Sequence, residues 1–173
     1  MNVKITSPIM SKQADAYVIK NPKETQNAHT ITNTDEAARI LNVSGEASIN
    51  ELKNFLKGYD LTSISTNELA KIGSKLQESG LIDRGVAAQF VSGNMACDSN
   101  GQQTDKDVKF NAIAMFNQML TENQDYARAN PASAAQDSFK YVTQALLGAN
   151  KVTNALSYFA HSSQNNLSVS ERA

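Results

Sequence analysis

Residues 104–120 read TDKDVKFNAIAMFNQML. Val108, Ala112, Ile113, Phe116, Met119 and Leu120 recur every third or fourth position, the spacing of one helical face. Phe110 and Met115 add apolar surface on a second flank. A helix apolar on more than one side needs neighbours on more than one side. The segment is therefore expected near the middle of a bundle, starting at Thr104, where Thr104 and Asp107 resemble a capping box.

The flanking sequence repeats the same period. Asn33-Thr-Asp-Glu36 opens a helix through Ile40 and Leu41, with acidic residues suited to the positive end of the helix dipole. Ser48-Ile-Asn-Glu51 has the spacing of a capping box ahead of Leu52, Phe55 and Leu56, with Gly58 placed to stop the helix. Ser65-Thr-Asn-Glu68 repeats the box ahead of Leu69, Ile72 and Leu76, closed by Gly80. Asp83 can cap a short helix through Phe90 that ends near Gly93. Asn130-Pro131 reads as a new N-cap with proline at the first helical position. Beyond it, apolar 3–4 spacing continues through Gly148 to Phe159, which favours one long helix over 131–161. No run with strand period and no internal repeat is evident.

These signals predict an all-α fold: a single compact bundle of five or six helices over 33–161. Residues 1–32 are expected as a flexible polar arm. Pro8 and Pro22 lie there, with four lysines against two acidic residues, and a short extended piece is possible at Val3–Ile5 or Tyr17–Ile19. Residues 162–173, HSSQNNLSVSERA after its first residue, are expected as a frayed polar tail. The chain's 173 residues suffice for one domain with a true core.

Composition narrows the function classes. A formal net charge of -1 argues against nucleic-acid binding through bulk positive charge. With Cys97 alone, no intrachain disulfide can form. No apolar run matches a signal peptide or a membrane span, so the expectation is a cytoplasmic protein with no membrane partner, although export without a cleaved signal would leave the same trace.

No glycine-rich phosphate loop, HExxH or GxSxG motif occurs, and the sequence offers only His29 and His161. No catalytic residue and no cofactor is expected. The loop Ala96–Asp107 resembles an EF-hand calcium loop in part. With Gly101 in the sixth position, Asp98, Asn100, Thr104 and Asp107 fall at the third, fifth, ninth and twelfth. Ala96 offers no ligand at the first position, Gln103 replaces the usual aliphatic residue at the eighth, and Asp107 replaces the longer bidentate Glu. An Asn/Gly turn accounts for the same residues. Glu68–Val91 has helix–turn–helix form, but its second helix offers only Arg84 and Gln89 to bases and phosphates, so no nucleic-acid partner is expected.

Phe139, Val142, Leu146, Ala149, Thr153, Leu156 and Ala160 alternate at spacings of 3 and 4. Such a row suits either a face packed inside the chain or a seam for self-association, for which Phe139, Val142, Leu146, Ala149 and Leu156 are the candidate residues. The leading functional expectation is a non-catalytic protein–protein interaction or adaptor module that binds another protein or itself. The alternatives are a cation-responsive module built on Asp98, Asn100, Thr104 and Asp107, and an enzyme with an unfamiliar site near Cys97 or the dispersed carboxylates.

Overall fold

A computed structural model describes residues 16–170, with side-chain environments over 16–162. The extended piece considered at Val3–Ile5 lies outside the described residues. The protein is all-α, with seven helices among the described residues: α1 (Thr34–Ile40), α2 (Glu46–Leu56), α3 (Thr66–Glu78), α4 (Arg84–Ser92), α5 (Ala112–Ala129), α6 (Pro131–Ala134) and α7 (Asp137–Ser170). Two short strands, β1 (Ile64–Ser65) and β2 (Lys109–Phe110), pair antiparallel, with Ile64 opposite Phe110 and Ser65 opposite Lys109.

The clearest local signals form as expected. Ser65 Oγ accepts from the Glu68 backbone N–H while the Glu68 carboxylate accepts from the Ser65 N–H, a complete capping box at α3. Asp83 caps α4 by accepting from Val86 N–H at 2.9 Å. Asn33 does the same for α1.

Three boundaries differ from the sequence reading. Helix α5 starts at Ala112 rather than Thr104. Residues 105–108 form a turn instead, in which Asp105 takes a left-handed φ of 51° and Val108 N–H bonds back to its carbonyl. The turn is pinned to α3, since Asn67 N–H donates to the Lys106 carbonyl. Val108, expected on the core face, is 55% exposed. Asn111 supplies the cap that Thr104 does not, accepting from Ala114 N–H at 3.0 Å. Second, α2 begins at Glu46 after Gly45, whose carbonyl accepts from Ile49 N–H, so Ser48 and Glu51 sit exposed within the helix rather than forming a box. Third, the single helix favoured over 131–161 is divided at its start, α6 ending at Ala134 and α7 beginning at Asp137, and the tail expected to fray from 162 continues α7 to Ser170.

Helix α7 is the hub: α1, α2, α4 and α5 all pack on it, and it runs unbroken through Gly148. Val86 of α4 lies where a side chain at Gly148 would project, its Cγ2 only 2.6 Å from that position. Glycine there serves close helix approach. Phe90 of α4 stacks on Phe116 of α5 with ring centroids 5.5 Å apart. Asn111 to Phe116 are all buried, as are Leu69, Ile72 and Leu76 of α3 and Leu156 and Phe159 of α7. Each such large side chain contributes about 1.5–3 kcal/mol on leaving water, so the core rests on aliphatic packing around a few phenylalanines.

Residues 16–32 of the polar arm dock on the bundle. They run without helix or strand across the bundle as a strap. Tyr17 N–H donates to the Asn94 carbonyl at 2.7 Å, Asn111 Nδ2 donates to the carbonyls of Pro22 and Glu24, and Ile31 is buried. Polar composition concealed this docking because the anchors are mostly hydrogen bonds to backbone atoms.

Candidate functional site

Both regions singled out from the sequence look different in three dimensions. In the Ala96–Asp107 loop, one Asp98 carboxylate oxygen accepts from the N–H groups of Asn100 and Gln102, both at 2.9 Å. Asp98 thereby closes its own turn, whose edge is the bridge between Cys97 and Gln103. Asp107 accepts from Asn67 Nδ2 at 2.8 Å, and Thr104 Oγ1 donates to Asp105. The side chains of Asp98, Thr104 and Asp107 are thus each engaged by a different partner. No helix leaves the loop at its ninth position, so the helix–loop–helix frame of an EF-hand is not formed. Among the described residues no three His, Cys, Asp or Glu side chains gather closely enough to hold a metal ion. Cys97 is half-buried, and Gln103 beside it donates to the carbonyls of Val91 and Ser92.

The expected seam on α7 divides in two. Leu146, Ala149 and Leu156 are buried against the other helices and serve the chain's own core, so they present nothing to a second molecule. Phe139 and Val142 lie outside that core. Phe139 stacks on Tyr126 of α5 at 5.7 Å and 28°, and Val142, one turn on, is 42% exposed. Tyr126 is half exposed and was not recognised in the sequence, where a lone tyrosine among polar residues carries no periodic signal.

This contact sits on an unusual structure. From Thr121 to Gln144 no residue is buried, yet the chain is helical over most of that span. The last turns of α5, the short α6 and the first turns of α7 make a helical hairpin whose residues all lie at or near the surface. Its two arms are joined by the Tyr126–Phe139 stack and by a 2.7 Å hydrogen bond from Thr143 to Asn123. Opposite charges flank the aromatic pair: Asp125 with Arg128 on α5, and Asp137 with Lys140 on α7, both exposed i,i+3 pairs. Tyr141, also exposed, lies on the opposite flank towards Gly85 of α4.

A second feature is polar. Along α7, Asn150, Thr153, Asn154 and Ser157 are buried at successive turns beneath the strap. Asn154 Nδ2 donates to the Asn150 carbonyl at 2.9 Å and to Asn150 Oδ1 at 3.1 Å. Asn27 Nδ2, Asn150 Nδ2 and Thr153 Oγ1 are buried with no hydrogen-bond partner in the structure. Beside this row lies a cavity of about 390 Å³ between the strap and α7. The sequence reading did not single out this row; its one signal there is four polar residues at helical spacing beside the apolar face. His29, on the strap, is held below its ordinary pKa by burial and then by the charge of Lys151.

Comparison with family models, with curated proteins and with solved structures finds no match. No helix among the described residues is long and apolar enough to cross a membrane.

Proposed function

We propose that this protein is a non-catalytic interaction module that associates with a second copy of itself through the α5–α7 hairpin. The observation that carries this reading is the stretch Thr121–Gln144, helical but with no buried residue. In proteins most helical stability comes from tertiary packing. The exposed ends of α5 and α7, held to each other by one aromatic stack and one hydrogen bond, gain most by laying their outer face against another pair.

A second copy suits the chemistry of the tip. Each hairpin carries an apolar centre of Tyr126, Phe139 and Val142, with Asp125 and Asp137 balanced by Arg128 and Lys140. In a two-fold arrangement the same patch faces itself, so a patch holding both signs of charge can pair across the axis without net repulsion. Two antiparallel hairpins so joined make a four-helix arrangement with a shared apolar centre. The single Cys97 suits a reducing, cytoplasmic setting for this module.

Light scattering of the full chain over a range of concentrations tests the reading. The expected result is a mass that rises from one to two copies with concentration. A mass fixed at one copy up to millimolar protein would overturn it.

A further inference from the structure

We propose that the cavity between the strap and α7 binds a small uncharged polyhydroxyl compound of monosaccharide size. This is independent of self-association, since the cavity lies among residues 25–31, 62 and 154–162 rather than on the hairpin.

The reasoning begins with the charge of the walls. Among the described residues no Asp, Glu, Lys or Arg lines the cavity; its polar groups are amides, hydroxyls and one imidazole. A buried or half-buried ligand charge needs an opposite charge beside it. A charged ligand of either sign would find no opposite charge on this lining. A neutral ligand is left.

The walls next dictate hydrogen bonding. Asn154 is only 4% exposed and lines the cavity. Its Nδ2 is committed to Asn150 and faces Asn27 Oδ1 at 3.5 Å, which leaves its Oδ1, without a protein partner, as the amide atom available to a ligand. His161 Nδ1 lies 2.7 Å from the Ser157 carbonyl oxygen. That oxygen can only accept, so Nδ1 carries a proton and Nε2 is the ring nitrogen left for a ligand. Asn154 Oδ1 and His161 Nε2 therefore stand on one wall, among the hydroxyls of Thr25, Thr62 and Ser157. Hydroxyl groups both donate and accept, so a polyol answers this mixture where a carboxylate or an ammonium group answers half of it.

Shape completes the argument. Ile31 and the ring of Tyr158 give the cavity an apolar wall, against which the C–H face of a sugar ring packs. A volume of about 390 Å³ falls in the lower part of the roughly 300–1,000 Å³ range of small-molecule sites.

Two-dimensional NMR titration of the full isotope-labelled chain tests the proposal. The probes are D-glucose, N-acetyl-D-glucosamine and myo-inositol, with acetate and phosphate as charged counterparts. At least one neutral probe is expected to give saturable shifts at the signals of residues 25–31 and 154–162, including the Asn154 side-chain amide. His161→Ala and Gln26→Ala alter exposed side chains, and each is expected to weaken that binding several-fold while the rest of the spectrum is unchanged. Asn154→Leu is expected to abolish it; the two exposed variants keep the question answerable should this one fail to fold. Absence of saturable shifts with all three neutral probes would overturn the proposal. So would shifts produced by acetate or phosphate alone, or undiminished binding in both exposed variants.

Discussion

The phenol of Tyr17 donates a hydrogen bond to the carboxylate of Glu122, joining residues 105 positions apart. Lys20 and Gln118 reach the same carboxylate, with Lys20 Nζ at 3.0 Å and Gln118 Nε2 at 2.9 Å. The bond from Tyr17 is the main cause that holds Glu122 below the ordinary carboxylate pKa, and burial together with Glu122 pushes the Tyr17 phenol up. A carboxyl whose pKa is lower folded than unfolded adds stability above its unfolded pKa and loses it as pH falls through the folded one. Tyr17→Phe is expected to cost about 1 kcal/mol at neutral pH, since the site is half exposed and well solvated. The difference between the two proteins should shrink as pH drops below the ordinary carboxylate range. Urea denaturation at several pH values measures this; a gap that stays constant with pH would refute it.

Asn111 holds two structures at once. Its oxygen caps α5 and its Nδ2 donates to the Pro22 and Glu24 carbonyls at 2.8 and 2.7 Å, in a side chain only 3% exposed. Losing a cap costs about 1 kcal/mol, and each buried carbonyl left unpaired adds roughly as much. Asn111→Ala should destabilise the protein by about 2–3 kcal/mol and open residues 16–24 to limited proteolysis before the body is cut. Cleavage that begins elsewhere would count against the strap as the released element.

Gly73 on α3 faces Phe90 on α4, and a Cβ there would sit 2.7 Å from Phe90 Cβ. That atom is fixed to the α4 backbone and cannot swing away. Gly73→Ala gains about 1 kcal/mol of helix propensity but forces apart two packed helices, an overpacking cost of about 1–3 kcal/mol. A net loss of about 1 kcal/mol is expected by thermal or denaturant unfolding. Greater stability in the alanine variant would show that α3 and α4 can separate freely.

Tyr126→Ala removes the outer ring of the hairpin stack. The body should lose no more than about 1 kcal/mol, because the ring is half exposed and such stacks are worth about 0.5–1.5 kcal/mol. Self-association should weaken at least tenfold, which is about 1.4 kcal/mol. Sedimentation of the variant and the original protein at equal concentration separates the two effects. Equal dissociation constants would remove the aromatic tip from the interface.

How much of this could be read from the chain differs by element. Helices α3 and α4 announced themselves, because Ser65, Glu68 and Asp83 act within one turn of where they stand. Helix α5 was found but misplaced at its start. Thr104 with Asp107 and Asn111 ahead of Ala114 look alike as caps, and the choice between them is made by Asn67, 40 positions from Asp107. The row on α7 had the correct period and an ambiguous direction. Leu146, Ala149 and Leu156 turn inward because four helices converge on them, and nothing local to α7 encodes that convergence. The strap left only scattered apolar letters, Tyr17, Ile19 and Ile31, and its other anchors are backbone groups and polar side chains that carry no periodic signal. The buried asparagines of α7 were visible as letters. Their unpaired donors emerge only when Asn27 is laid beside them.

The strap also sets an order of events. As the ribosome extends the chain, residues 16–31 emerge well before Asn111, Glu122 and Asn154, the groups they bind. Those early residues must wait, exposed to proteases and chaperones, until α5 and α7 have been made and packed. Contacts spanning about a hundred positions close slowly, so the fastening of this belt is expected to be the final event of folding and the first to reverse under stress.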